Sequence, residues 1–470
     1  MGGWSECRQP SLGRDGPSGS ALAPPLLQCP RVTAPAPIEP RILPRAEHSI
    51  SRKDIPKEAL KVLYRLAGAG HRAVLVGGSV RDLMLGRTPK DFDVATDARP
   101  NEVRRLFRNA RVIGRRFRLV HVIFQDEIVE VSTFRREPDP AEQRNGAPDD
   151  LLITSDNAFG SPQQDAFRRD FTINALFYDI ADFSVIDYVG GVADLERRTI
   201  RTIGDPLVRF REDPVRMMRA CELAGRLGFG LDPATQAAIQ ELKLEMERAA
   251  PARLSEELVE LLRCGRAGAA LQWMLELGLL EVLLPEAYAM IAAGERGLGD
   301  FGQILPTLDR KVAGGRQVSD GGLLAALLLP SVLLRRFDIE AVGQRPLRRV
   351  ELARLVEEAA EPFLRRYALS KDRARQTQEA LIGFLRLCES PRSVAERVRV
   401  ATRAFFPDAL WLFELLAEAT GEGFEELAQW QAAARRRPVL ASSGEPESEP
   451  RPQPLEQAPG ARRRRRRRRR

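Results

Sequence analysis

Residues 74–93 read VLVGGSVRDLMLGRTPKDFD, and the order of signals in this stretch decides the fold. Val74, Leu75 and Val76 form a short apolar run that stops at Gly77-Gly78. Ser79 then opens a short amphipathic stretch that ends at Gly86. This order predicts strand, glycine turn, helix. Backbone N–H groups at such a turn meet the positive end of the helix and suit a phosphate. Asp91 and Asp93 follow. In a strand, residues i and i+2 share a face, so both carboxylates project together. A cation between them relieves their repulsion. Mg²⁺ held by one or two carboxylates plus substrate phosphates is the usual arrangement. Each signal has a plainer reading, a simple turn for Gly-Gly and a solvated strand edge for Asp-x-Asp. Together, this close and in this order, they predict metal-dependent nucleotidyl transfer.

Outward from this centre, Leu60, Leu63, Leu66 and Ala67 follow helical spacing between Pro56 and Gly70. A second helix is predicted over Pro100 to Phe107. Leu119–Phe124 and Glu127–Thr133 alternate like strands, with Gln125-Asp126 as their turn. Residues 135–164 read as a long functional loop. Order resumes at Arg168, and a strand over Ala181 to Tyr188 closes the first domain. From about 190 the patterns are almost all helical, clearest over 208–229, 233–246, 252–264 and 269–284. Residues 290–320 are Gly-rich and weakly patterned, and Leu323 to Leu334 is apolar enough to be buried.

Four further constellations carry polar chemistry. Glu130 stands on the strand face opposite Val129 and Val131, as a third carboxylate candidate or an outward strand residue. Arg168 and Arg169 suit phosphate oxygens, and Asp170 and Asn174 follow them; the plain reading is a helix start with surface charges. Asp187 to Leu195 contains Gly190-Gly191 and reads as a turn joining two domains. Asp213 precedes Pro214, a good helix N-cap with proline at the first helical position. The functional alternative sets Asp213 and Arg216 against a base edge, which admits adenine and cytosine alike.

The chain has 470 residues and 43% hydrophobic content, enough for two to four domains and a sizeable core. Its five cysteines are scattered without a Cys-x-x-Cys pair, which predicts neither a zinc site nor a disulfide framework and fits a reducing cytoplasm. No run of 18 apolar residues suggests a membrane span, and the first residues show no secretory leader pattern. Residues 435–470 hold 13 Arg and 4 Glu, a charge of +9 against +8 for the whole chain. The basic character is therefore concentrated in a tail, and any nucleic-acid groove in the folded part needs local charge asymmetry.

Taken in order, GGSVRDLMLG (77–86), DFD (91–93), RRDFTINAL (168–176), DYVGGVADL (187–195) and EDPVRMMRA (212–220) resemble the class II nucleotidyltransferases. That family holds bacterial poly(A) polymerases and CCA-adding tRNA nucleotidyltransferases. VIGRRFRLVHVIF (112–124), PRAEHSISRKDI (44–55) and the arginine tail resemble the poly(A) polymerase branch. The resemblance implies an α+β fold: a polymerase-β-like nucleotidyltransferase head with a small mixed sheet and helices, then an all-α neck and body. The implied boundaries are a disordered extension (1–47), the catalytic head (48–188), a base-reading neck (189–265), an RNA-binding body (266–434) and a disordered tail (435–470). It implies Asp91 and Asp93 as ligands of two Mg²⁺ ions, and Asp170 as a third catalytic group ahead of Glu130. Gly77, Gly78, Ser79 and Arg81 would hold the triphosphate. Arg168, Arg169, Asn174, Asp213 and Arg216 would serve the nucleotide. The implied activity is template-independent addition of adenylate from ATP to RNA 3′ ends in the cytoplasm, for RNA processing and decay. A CCA-adding enzyme and a non-catalytic RNA-binding adaptor are the alternatives. One departure stands out: Glu222 occupies a position where the family pattern has an arginine.

Overall fold

Residues 41–187 build one eight-stranded sheet. In chain order come β1 (Arg41–Leu43), α1 (Lys57–Gly68), β2 (Ala73–Val76), α2 (Gly78–Met84), β3 (Asp93–Thr96), α3 (Pro100–Leu106) and β4 (Ala110–Ile113). Then follow β5 (Leu119–Ile123), β6 (Ile128–Thr133), α4 (Pro162–Phe167), β7 (Leu176–Asp179) and β8 (Val185–Asp187). The spatial order is β1-β8-β7-β2-β3-β6-β5-β4. β3 and β6 run parallel and the other neighbours antiparallel. This computed structural model describes residues 39–114, 118–125, 127–137, 158–293, 297–389 and 393–436. Most of the expected N-terminal extension, Asp126 of the predicted turn, residues 138–157 of the long loop and the tail from 437 lie outside the described residues.

The period of two along the strands separates the faces of the sheet. Leu75, Val94, Val129 and Val131 are buried with Ala59, Val62, Leu63 and Leu66 of α1. Truncating one such leucine to alanine costs about 2–5 kcal/mol. Val74, Val76, Ala95, Phe134 and Phe177 form a second cluster on the opposite face. Asp93 is out of phase with Val94 and therefore belongs to this second face. Register sets Glu130 beside Asp93 and Ser132 beside Ala95.

The remaining chain is helical apart from a two-stranded parallel ribbon of β9 (Thr199–Ile200) and β10 (Gly230–Leu231). Its first helices are α5 (Gly191–Glu196), α6 (Pro206–Glu212), α7 (Val215–Leu227), α8 (Pro233–Leu242), α9 (Pro251–Arg263), α10 (Ala267–Glu276) and α11 (Leu279–Leu283). Then come α12 (Pro285–Ala293), α13 (Gly297–Ala313), α14 (Asp320–Gly343), α15 (Arg349–Arg366), α16 (Lys371–Leu387), α17 (Val394–Ala401), α18 (Phe406–Thr420) and α19 (Phe424–Arg435). Leu323 to Leu329 in α14 are buried, as their composition predicts.

Several boundaries differ from the sequence reading. β1 lies inside the segment expected to be disordered and pairs with β8. The helix expected over 208–229 is two helices, because Pro214 lacks an N–H and disfavours helical backbone at Asp213. The helix expected over 269–284 breaks at Gly278, whose φ is 76°. The weakly patterned 290–320 region contains α13. The turn at Gly190-Gly191 leads into α5, Gly190 with φ 84°. Asp187 accepts backbone N–H bonds from Val189, Gly190, Gly191 and Val192 at 2.9–3.0 Å. A Cβ on Gly191 would lie 2.2 Å from the Thr172 carbonyl oxygen, so the turn packs directly on the segment after Asp170.

Candidate active site

A cleft of about 690 Å³ is lined by the end of β2, by α2, β3, β6 and α4, and by α7 and α9. Every residue expected to serve the reaction lines it except Glu130. Ten basic and nine acidic side chains form the lining, so its field arises from where the charges sit and not from their sum.

The carboxylate end lies at β3. Asp93 is the first residue of the strand, and Asp91 lies just before it, not within it as the sequence reading had it. Buried Phe92 anchors the segment between them. Among the described residues neither Asp91 nor Asp93 forms a side-chain hydrogen bond or ion pair. Burial, then Glu130, raise the Asp93 carboxyl to about 6; Arg169 opposes this and Asp91 adds to it. Glu130 projects beside Asp93 but pairs with His121, 3.1 Å away on β5. Among the described residues no three acidic, His or Cys side chains converge into a complete metal cage. An acidic pair without protein counter-charge is the donor set that suits Mg²⁺ completed by phosphate and water.

The arginine end gathers Arg135, Arg168, Arg169, Arg209 and Arg216. Burial, then Arg135, Arg169, Arg209 and Arg216, push Arg168 well below the usual arginine range. Such crowding of like charges asks for an anion. Asp165, 3% exposed, holds Arg169 through Nε and Nη2 at 3.2 and 2.9 Å, and takes the Arg135 backbone N–H. Arg209 donates to the Arg168 and Arg169 carbonyls at 2.6 and 2.9 Å and to Glu212 at 2.8 Å, fastening α6 to the Arg-Arg segment. Arg216 Nη1 donates to the Arg209 carbonyl and to Glu212.

The glycine turn joins these two ends. Gly77 has φ 74°, which favours glycine, and a Cβ there would crowd Arg169 Nη1 at 3.2 Å. Ser79 donates its hydroxyl to the Val76 carbonyl at 2.9 Å, which uses that donor to fix the turn. Arg81 is buried and bidentate to Asp82, with its third nitrogen on Asn174. Asn174 in turn donates to Asp170 at 3.4 Å.

Asp170 does not join Asp91 and Asp93. Its Oδ2 lies 2.8 Å from Arg219 Nη2, an ion pair short of directed hydrogen-bond geometry. Burial pushes this carboxyl up, but Arg219 and Arg216 outweigh it and hold it below the usual range. Asp213 is not an N-cap either. Pro214 stands at that position without a side-chain cap, and Asp213 is extended at φ −154°. Its Oδ1 accepts from Arg253 of α9 at 2.6 Å, and its Oδ2 is 4.0 Å from Arg216 Nε. Glu222 is balanced inside α7 by Arg226, at 2.6 Å, which also approaches Asp82 of α2. The departure from the family pattern thus keeps local charge pairing.

Residues 73–201 match the family model "Poly A polymerase head domain", and residues 228–290 match "Probable RNA and SrmB- binding site of polymerase A". The chain is 40% identical to the poly(A) polymerase I of Salmonella typhimurium over 406 residues, covering 83% of this chain and 85% of that one. The chain belongs to the poly(A) polymerase I family. A CCA-adding enzyme of Bacillus subtilis is 40% identical over 226 residues, covering 48% of this chain and 55% of that one. Among solved structures, the Bacillus stearothermophilus CCA-adding enzyme in complex with CTP superposes with a TM-score of 0.56 at 28% identity, covering 81% of each chain.

Within the poly(A) polymerase I frame, sequence reading missed Arg135, Asp165, Arg209, Arg219 and Arg253. Arg209 lies just before EDPVRMMRA (212–220) and Arg219 lies within it, which was the one available signal. Asp165 and Arg253 meet their partners only through folding.

Proposed function

We propose that the protein extends RNA 3′ ends with adenylate from ATP, without a template. The RNA 3′ oxygen bonds to the α-phosphorus, the bond from that phosphorus to the β-phosphate breaks, and pyrophosphate leaves. The observation carrying this reading is a single cleft that holds both an arginine cluster and an acidic pair without a hydrogen-bonded or ion-paired partner among the described residues. Arg168 and Arg169, with the backbone at Gly77-Gly78, hold the triphosphate. Arg81 and Asn174 keep Asp170 in place, and Asp170 positions Arg219. Asp213 and Arg216 face the base. Catalysis by these groups is positioning plus electrostatics. Asp91 and Asp93 would hold two Mg²⁺ ions, which when bound activate the 3′-hydroxyl and offset charge on the α-phosphate. Glu130, paired with His121, adds negative charge beside Asp93 from the neighbouring strand.

We read the chain as head, neck and body with the boundaries given above, the head beginning at Arg41 because β1 completes its sheet. The enzyme acts on RNA in the cytoplasm; among the described residues no helix is long and apolar enough to cross a membrane. The CCA-adding reading is the second one because the Bacillus subtilis CCA-adding enzyme is 40% identical over 226 residues. The deciding experiment offers each nucleotide separately with Mg²⁺ and an unstructured RNA. Repeated addition of A is expected, with C weaker and G and U weaker still. Arrest after two C and one A on a tRNA lacking those residues would overturn the branch. No addition by the intact Asp91/Asp93 protein would leave the adaptor reading.

A further inference from the structure

The edge of the sheet farthest from β1 carries charge that the active site does not use. Arg104 and Arg105 of α3, and Arg108 after it, are exposed, and among the described residues none pairs with a carboxylate. Beside them α1 presents Lys61 and Tyr64 around a groove of about 690 Å³ floored by Phe107 and Phe124. Lys61 lies 5.8 Å from the Phe124 ring centre, and Tyr64 is 46% exposed. Of the nearby acids, Glu58 pairs with Lys61 at 3.5 Å, Glu102 accepts from the Arg99 backbone, and Glu127 near Glu58 is outnumbered by Lys57, Lys61, Arg65, Arg104, Arg105 and Arg108. The surface is therefore net basic with an exposed aromatic, the combination that binds single-stranded nucleic acid.

Its place relative to the active site follows from register. Val120 and Val122 of β5 are buried on the α1 face, so the groove lies on that face. Asp93, Glu130, His121 and Arg111 form one continuous cross-strand row on the opposite face. The row ends at Arg111 on edge strand β4, three strand spacings or roughly 14 Å from β3.

We propose that this rim binds single-stranded RNA upstream of the 3′ end. The strand leaves the carboxylates along the row to Arg111, rounds β4, rests phosphates on Arg104, Arg105 and Arg108, and stacks a base on Tyr64. The inference rests on the RNA-extension reading above and adds a binding surface on the sheet side, apart from residues 228–290.

The test uses the full chain, the variant Arg104→Gln/Arg105→Gln/Arg108→Gln and, separately, Tyr64→Ala. All are exposed positions outside the cleft. ATP incorporation is measured on oligoadenylates of about 6 and about 30 nucleotides, lengths that bracket a single-strand site. The triple variant is expected to raise KM for the long RNA about tenfold. Its log–log salt slope should flatten by about 2, from three contacts at about 0.7 each. Tyr64→Ala should raise the same KM about five- to tenfold, as for loss of one stacked base. In both variants kcat and KM for the short RNA should stay unchanged. An unchanged KM and slope on the long RNA would overturn the proposal and leave the rim to a protein partner, as would an equal rise on both RNAs. A native protein that adds nothing to either RNA would instead refute the functional reading, and this proposal with it.

Discussion

At one end of the cleft the arginines are held by protein acids and carbonyls: Arg169 by Asp165, Arg216 by Glu212, Arg209 by Glu212 and two backbone oxygens. In the same cleft Asp91 and Asp93 have no such hydrogen-bonded partner; Asp93 is burdened by burial and by Glu130 and only partly relieved by Arg169. The arginine end is thus built before a nucleotide arrives, whereas the acidic end is left for a cation to complete. Fixed donors cost no reorganisation when charge arrives. An uncompensated acidic pair keeps affinity for an ion that travels with the phosphates.

The largest expected effect comes from the acidic end. Asp91→Ala or Asp93→Ala should lower single-nucleotide addition about a thousandfold or more, since several kcal/mol of transition-state stabilisation is lost. The fold should survive, because neither carboxylate holds another residue. Near-native rates with Mg²⁺ as the only metal would break the comparison. A stability readout sharpens it. The folded Asp93 carboxyl sits near 6, above its unfolded value, so its charged form opposes folding once the pH exceeds about 6. Asp93→Asn should therefore raise Tm at pH 7.5 without divalent cation. Adding Mg²⁺ should then stabilise the native protein more than the variant.

Arg168→Met tests the other end. Its charge is crowded by four arginines and met by Asp165 3.9 Å away, so its removal should change Tm little while KM for ATP rises about tenfold. A large loss of stability with an unchanged KM would show that Arg168 serves the fold and not the nucleotide. Arg209→Ala should behave oppositely, because it leaves the Arg168 and Arg169 carbonyls without their side-chain donor and Glu212 with only Arg216. A destabilisation of about 3–5 kcal/mol is expected, measured by denaturant unfolding. A smaller effect is expected from Arg216→Ala, which should erode preference for ATP over GTP about tenfold with RNA affinity nearly unchanged. The smallest is removal of residues 437–470. It should weaken RNA binding most at low salt and flatten the salt dependence, while single-nucleotide addition at saturating RNA stays unchanged.

Legibility in the sequence followed the range of the interactions. The glycine turn and the helical second half are set by local pattern and were readable; Asp91 and Asp93 were expected in one strand, and only Asp93 lies in it. β1 and β4 are three and four residues long, and only pairing with β8 and β5 makes them strands. Asp213 was open between cap and base reader because the competing partner, Arg253, lies 40 residues away. Asp170 was grouped with the catalytic acids by its motif, yet Arg219 of α7, 49 residues on, claims its charge. The split at Asp213-Pro214, by contrast, was visible in the proline and was overridden by the apolar periodicity around it.

The most direct test of a cleft with one prebuilt and one cation-completed end separates binding from turnover. ATP affinity without divalent cation and turnover at saturating ATP with Mg²⁺ are measured for Asp91→Asn/Asp93→Asn and for Arg168→Met. The acidic-end variant should bind ATP at least as tightly as the native protein and turn over at least about a thousandfold more slowly. Arg168→Met should bind about tenfold more weakly and keep most of its turnover. Equal losses of binding and turnover in both variants would contradict the division.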